Sequence, residues 1–414
     1  MDNFLISKFR EEVSKSKDYR MKVETEFPVS YPTGFLNFDF LNGMVTKGKL
    51  PDGTMQEYKN IGIQDGSLNM IIGRSASGKT TWTIQAAANM VRPFPASCIY
   101  HDDIEGGINE TRKMQLAQFT EEEFKSKYLS RNTGITAENF YERVKMIHDI
   151  KINNRAEFEY DTGMYDSFGE RIFKLAPTVY ILDSLALLMP EKFSDEEEMS
   201  GQMSATATAK MNKAIMTRVI PMLKAANIIL FVINHILEDV SINPMMKKKA
   251  QISYLKQGET LPGGKAPIYL SNNIIRFDDN TKLKETEGFG FSGSLVDIGL
   301  VKSRTNRAGQ AATLIFNQRE GFDPVISLFI MLKNAKRVNG AGAYLYLGDR
   351  SDIKFAQKNF KKTLIEKPEL QQVFQTEVLK CLEELLSPPV QENKIEMNNV
   401  VNNMLAAINA PVVQ

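Results

Sequence analysis

Cysteine is nearly absent: Cys98 and Cys381 are the only two in 414 residues. Two cysteines cannot build a disulfide framework, and their scarcity points to a reducing compartment. Histidine is scarce too, with only His101, His148 and His235, which argues against a His-based zinc site. No apolar run reaches the ~20 residues of a membrane span. The opening Met-Asp-Asn-Phe-Leu-Ile-Ser-Lys lacks the pattern of a secretory signal. The expected setting is therefore cytoplasmic, with no membrane. A charge bias is also missing: 51 Lys and Arg stand against 50 Asp and Glu, a net +1. Any binding to nucleic acid must then come from local patches rather than a global field. There is no internal repeat and no long low-complexity tract. A 43% hydrophobic, 24% charged chain of this length is an ordinary globular composition, enough for one large or two to three ordinary domains.

Against these absences stands one dense motif. Gly73-Arg-Ser-Ala-Ser-Gly-Lys-Thr80 fits G-x-x-x-x-G-K-[ST], the P-loop. The apolar run Leu68–Ile72 before it reads as a buried strand, and Thr81–Val91 after it reads as a helix, the context the motif requires. Backbone N–H groups of such a loop close around phosphate oxygens, and the helix N-terminus adds partial positive charge. Lys79 is placed to bridge the β- and γ-phosphates of ATP, and the Thr80 hydroxyl to ligate Mg²⁺. Gly73, Ser77, Gly78, Lys79, Thr80 and Thr81 are the expected nucleotide-binding residues of the loop.

Two more apolar runs end in polar residues. Thr178–Ser184 carries Asp183 at its end, the Walker B pattern, with Asp183 joining Thr80 in the Mg²⁺ shell. Ile228–Ile233 ends in Asn234 and His235. A third strand, near residues 96–101, runs into Asp102, Asp103 and Glu105. Ligands of parallel α/β sheets sit beyond the carboxyl ends of strands. A carboxylate there can orient or deprotonate an attacking water, with Glu105 ahead of Asp103. The fold class this implies is α/β, a mostly parallel sheet with helices on both faces.

The rest of the chain supplies context. Residues 1–27 carry Phe4, Leu5, Phe9 and Val13 at helical spacing, an amphipathic arm that docks on its own core or on a neighbour. Residues 108–175 are charged and largely helical, with Thr120–Glu123 as a capping box and an irregular surface excursion near 150–170. A helix is expected from about 203 to 226, ended or kinked by Pro221. The stretch 236–268 has no periodicity and carries Lys247, Lys248, Lys249, Lys256 and Lys265 with Gly263 and Gly264. A loop that long inside a compact domain is functional or disordered. Its lysines and glycines suit a phosphate backbone approached closely. Residues 295–317 read as a β-hairpin with a basic tip, where Lys302 and Arg304 share one strand face and can act on a γ-phosphate in a neighbouring subunit. Residues 326–386 are helix-rich, and Ser387-Pro-Pro389 opens a tail to residue 414.

Taken in order, these segments resemble the RecA-type recombinases, most closely their phage UvsX-like branch, over residues 28–385. GRSASGKTT looks like the family's P-loop, DIEGG at 103–107 like the strand bearing the catalytic Glu, and YILDS like Walker B. Residues 190–204 fall at the first DNA-binding loop. FVINH resembles the strand leading to the second, with His235 as γ-phosphate sensor, and LPGGKAP at 261–267 resembles that loop's glycine pair. VKSRT at 301–305 resembles the cationic pair that reaches ATP across the filament interface. GAGAYLYLGD with KKTLIEKPELQQVF resembles the small C-terminal domain, here 326–386.

The resemblance implies a RecA-like ATPase core over 28–325, between the N-terminal oligomerisation arm and a small α+β C-terminal domain. It implies a DNA-dependent ATPase active in DNA recombination and repair. Such a protein polymerises into a helical filament on single-stranded DNA and exchanges strands with homologous duplex DNA, in a bacterial or phage-infected cell. Loading and single-strand-binding proteins are the implied partners. An extra residue between Tyr100 and Glu105 keeps Asp103 as a rival carboxylate, and Arg112 stands where the family stacks a Tyr on adenine. A hexameric helicase-type motor with the same core is the alternative, as is a nucleotide-binding recombination regulator.

Overall fold

The computed structural model describes residues 8, 27–191, 201–238, 255–284, 288–304, 306–341 and 344–386, with the side chains of 201–206 and 279–280 excepted. Nearly all of the expected arm 1–27, the tail 387–414, residues 192–200 of the first expected DNA loop and 239–254 of the second, with Lys247, Lys248 and Lys249, lie outside the described residues.

The apolar runs of the sequence become the centre of one nine-stranded sheet. In chain order its strands are β1 (Leu68–Gly73), β2 (Ile99–Asp103), β3 (Tyr128–Arg131), β4 (Thr178–Asp183), β5 (Ile228–His235), β6 (Asn273–Leu283), β7 (Gly293–Ser303), β8 (Gln310–Asn317) and β9 (Gly321–Asp323). Their order across the sheet is β9-β8-β7-β6-β1-β5-β4-β2-β3. From β6 to β3 all neighbours run parallel, while β7, β8 and β9 are antiparallel.

The central strands are apolar throughout because both faces are covered. Ile229, Phe231 and Ile233 of β5 enter one core, and Ile228, Leu230 and Val232 enter the other. The first core takes the helix α2 (Lys79–Val91), whose Trp82, Ile84, Ala87 and Ala88 are buried, and α3 (Glu110–Ala117). Trp82, the only tryptophan, is fully buried. It stacks on Phe35 at 6.1 Å and meets Phe38, Phe231 and Phe277 edge-on at 5.1, 6.2 and 5.7 Å. Burying one such ring contributes on the order of 3 kcal/mol, so the helix that follows the glycine turn is held against the sheet. The second core takes α4 (Ala137–Asn153) and α5 (Gly201–Ala226).

Three expectations change here. Pro221 neither ends nor breaks α5, which runs to Ala226. Val219, Leu223 and Ala226 are buried in the second core, and this packing carries the helix past the hydrogen bond a proline cannot make. The segment 108–175 is less helical than its charge suggests, since it also supplies edge strand β3 and a hairpin of Glu159–Tyr165 with Arg171–Leu175. The irregular excursion near 150–170 is therefore partly α4 and partly this hairpin. It packs on a second hairpin, Met44–Lys49 with Met55–Asn60, where Lys49 N donates to Asp166 O at 2.8 Å. The Thr120–Glu123 capping box forms as expected, with Thr120 N donating to Glu123 Oε2 at 2.8 Å.

The helices α7 (Pro324–Asn334), α8 (Phe360–Glu366) and α9 (Pro368–Glu383) close a third core. That core also contains Ile315 of β8 and Phe40 of the short helix α1 (Leu36–Leu41). Among the described residues no helix is long and apolar enough to cross a membrane.

Candidate functional site

The carboxyl ends of β1, β5, β4 and β2 lie side by side, because the register pairs Gly73 with His235, Ile233 with Asp183 and Asp183 with Asp103. Lys79, Thr80, Asp183, Glu105 and His235 meet at this edge. The Gly73–Thr80 turn leaves β1 and enters α2 at Gly78, whose φ of 88° is left-handed. A Cβ on Gly78 would sit 2.8 Å from the Phe322 ring, and one on Gly73 would sit 2.8 Å from Phe277 O. Gly73 is therefore fixed by close packing, and Gly78 by close packing and backbone shape together.

Lys79 is buried and its Nζ donates to Gly73 O at 3.1 Å and Arg74 O at 2.7 Å, so the ammonium closes the mouth of the turn. Thr80 Oγ1 donates to Asp183 Oδ2 at 2.6 Å. Thr81 sits half-buried in the first turn of α2. Asp183 Oδ1 and Ser77 Oγ are buried with no hydrogen-bond partner. Burial, reinforced by the nearby Glu105 and Asp103 carboxylates, pushes the Asp183 carboxyl up to about 7, against the opposing Thr80 hydrogen bond. The Asp183–Ser184 peptide is cis.

A hydroxyl bonded to a buried carboxylate with one unpaired oxygen is a hard-oxygen donor set that suits Mg²⁺. Among the described residues no cluster of three or more His, Cys, Asp or Glu is arranged for a metal. A cation here would then complete its shell with water and phosphate oxygens, as Mg²⁺ commonly does.

The turn after β2 hangs on Asp183, whose carbonyl accepts Ile104 N at 2.6 Å and Glu105 N at 3.4 Å. Glu105 is left partly exposed at 35%, and its Oε1 meets His235 Nε2 at 2.5 Å. Its rival Asp103 and the neighbouring Asp102 are engaged elsewhere. Asp103 pairs with Lys113 at 2.8 Å, both only 3% exposed. Asp102 accepts from Tyr180 OH at 2.5 Å and pairs with Arg143 of α4. Burial raises the Asp102 carboxyl, and Tyr180 and Arg143 pull it back. Arg143→Met should leave this carboxylate buried with only the tyrosine. The expected loss in urea denaturation is about 3 kcal/mol; a loss under ~1 kcal/mol would remove Asp102 from the list of residues that hold the fold.

No protein-family model matches the chain, and no curated protein matches it.

Lys302 and Arg304 are not at this edge. The register aligns Asn69 with Asn273 and Asn273 with Ser303, so the end of β7 lies level with the start of β1. Four residues separate that level from Gly73, about 13 Å of strand. Both cations turn to the short helix α6 (Ala266–Leu270). Lys302 Nζ donates to Ile268 O and Tyr269 O, each at 2.9 Å, and Arg304 Nη2 donates to Tyr269 O at 2.8 Å. Burial first, then Arg304, lowers Lys302 to about 8.

The second expected DNA loop begins and ends in a short ribbon, Leu237–Glu238 paired with Glu259–Thr260. Gly263 and Gly264 have φ of 89° and 86°, and their close approach is to protein. A Cβ on Gly264 would meet Ala209 Cβ of α5 at 2.9 Å, and one on Gly263 would meet Leu185 at 3.0 Å. Lys256 and Lys265 are exposed, with Lys256 Nζ 3.4 Å from Asp278.

Three contacts escape a reading of the sequence. Arg112 clips α3 to the turn between β8 and β9 through Arg319 O at 2.6 Å and Gln318 O at 3.0 Å. Arg276 forks onto Glu259 at 2.7 and 2.8 Å, fixing the far side of the ribbon. Arg74, an unspecified position of the glycine motif, pairs with Glu238. Only the last carries a sequence signal, a cation inside a phosphate-binding motif.

Proposed function

We propose that this chain is an ATP-dependent DNA recombinase with a RecA-like core, which assembles as a helical filament on single-stranded DNA and pairs it with homologous duplex. The observation that carries the reading is the division of the charged groups between two edges of one sheet. Lys79, Thr80, Asp183, Glu105 and His235 gather at the carboxyl edge, and Lys302 with Arg304 lies at the level of the opposite end of β1. A chain so divided brings its cationic pair to a nucleotide only when another copy stacks against it.

In this reading the Gly73–Thr80 turn binds the phosphates of ATP through backbone N–H groups and Lys79. Thr80 and Asp183 would hold Mg²⁺, which would supply positive charge beside the phosphates. Glu105, held by His235, is the carboxylate left to orient a water, because Asp103 and Asp102 are spent on Lys113 and Arg143. His235 holds Glu105 and stands one residue from Ile236, at the entrance to the second loop. A change at the phosphate edge can therefore shift the population of loop conformations. Lys256 and Lys265 supply exposed charge for the DNA backbone beside that loop.

The test is ATP hydrolysis with and without single-stranded DNA, with the same samples imaged by negative-stain microscopy in a non-hydrolysable ATP analogue. DNA-stimulated hydrolysis with open helical filaments is the expected result. Closed rings would move the assignment to a helicase-type motor, and nucleotide binding without turnover to a regulator.

A further inference from the structure

Arg74 follows β1 directly, and its carbonyl accepts Lys79 Nζ at 2.7 Å, so its backbone forms the rim of the turn that Lys79 closes. Its guanidinium pairs with Glu238; the two side chains are 69% and 57% exposed. An ion pair this open to water holds its partners weakly. It yields to an anion of higher charge brought within reach. The turn itself is the place where such an anion would be delivered.

Glu238 ties this pair to a second element. It lies three residues after His235, in the ribbon whose far strand carries Glu259. Glu259 is buried and locked bidentately to Arg276 of β6. One strand of the ribbon is thus anchored to the sheet, and the other is fastened to the glycine turn through Glu238. His235, which meets Glu105, is the other link between this segment and the phosphate edge.

We infer that Glu238 is an internal competitor for Arg74: the carboxylate holds the guanidinium until the polyphosphate of a nucleoside triphosphate takes it, which frees the near strand of the ribbon. The inference rests on the nucleotide reading above and adds to it a cation that distinguishes triphosphate from diphosphate. Arg74 is a positioning and specificity residue in this scheme, and Glu238 sets its availability. By linkage, whatever ligand draws the ribbon away from the turn must also tighten triphosphate binding.

Fluorescent ATP and ADP analogues titrated onto the full chain test the competition. The proteins compared are wild type, Glu238→Gln, Arg74→Ala, the double variant and Lys79→Ala. Both new positions are exposed, so the fold is not at stake. Glu238→Gln should tighten triphosphate binding about three- to fivefold, the range of an exposed ion pair, with a smaller change for the diphosphate. Arg74→Ala should weaken triphosphate binding by a similar factor, and Glu238→Gln should have no effect in that background. Binding that depends on Lys79 but is indifferent to Glu238, or that Glu238→Gln tightens even without Arg74, overturns the inference alone. Equal binding by wild type and Lys79→Ala overturns the nucleotide reading and the inference with it.

Discussion

Replacing Lys302 and Arg304 together by alanine is expected to lower DNA-stimulated ATP hydrolysis about a thousandfold, while nucleotide affinity of the dispersed chain stays within about twofold. The size follows from the role: a cation supplied in trans acts on charge that develops only in the transition state, where water is excluded. The invariance of binding follows from the register, which levels Lys302 with Met70, three residues or about 10 Å of strand from Gly73, and puts Arg304 past the end of β7. Filament stability in the ATP analogue should fall with hydrolysis, since in the proposed filament the same contact would join the subunits. Titrating the double variant with Lys79→Ala protein supplies a sharper readout. Each would carry the half the other lacks, so mixed filaments should recover hydrolysis at the interfaces that join an intact turn to an intact pair. Hydrolysis that survives both substitutions would place the pair outside the chemistry. Lys302 also holds two carbonyls of α6, so thermal unfolding of the variant must be measured alongside.

Asp183→Asn should abolish the stabilisation that wild type gains from Mg²⁺ and ATP, and yet make the ligand-free protein more stable above pH 7. The two effects have one cause. Burial lifts the Asp183 carboxyl from 3.8 to about 7, so the folded protein binds this proton more tightly than the unfolded chain does. The stabilising proton is fully present below the unfolded value and is lost as pH rises through about 7. Above that, the fold carries a buried negative charge whose upper-bound cost, at about 1.4 kcal/mol per pH unit, is roughly 4 kcal/mol. Asparagine keeps the acceptor for Thr80 and removes the charge. Asp39, also buried and raised to about 7, tilts the stability of both proteins in the same direction, so only their difference reports on Asp183. The check is chemical denaturation from pH 5 to 8.5. Curves that stay parallel across that range would mean that Asp183 does not carry the buried-charge cost assigned to it.

The cost of that carboxylate also makes its position conspicuous in the sequence. A buried strand that ends in an Asp, or a glycine turn between an apolar run and a helix, is conspicuous in sequence because ordinary packing would not select it. β1, β4 and β5 were legible for the same reason: strands covered on both faces must be apolar at every position, and no periodicity has to be inferred. The β7–β8 hairpin and the helix-rich end were legible through turn residues. β3 and the hairpin after α4 were not, because their charged, half-exposed residues look like a solvated helix face. At Pro221 local propensity expects an end or a kink; the end does not come, since the core beneath Val219 and Leu223 carries α5 on to Ala226.

Residue chemistry and chain-local spacing were therefore fixed in the sequence: which strand ends carry Lys79, Thr80, Asp183, Glu105 and His235, and which hairpin carries Lys302 and Arg304. Only the tertiary structure decided who meets whom. The insertion of β1 between β6 and β5 sets His235 beside Gly73, and it brings Arg74 to Glu238, 164 residues away. Three carboxylates in one short stretch were separated by partners on other elements: Arg143 and Lys113 claim Asp102 and Asp103, and His235 meets Glu105. The antiparallel turn of β7 sends Lys302 and Arg304 to the far edge. Strand order and direction are settled by how the two cores close over the sheet, a balance of burial summed over many residues that no local stretch of sequence contains.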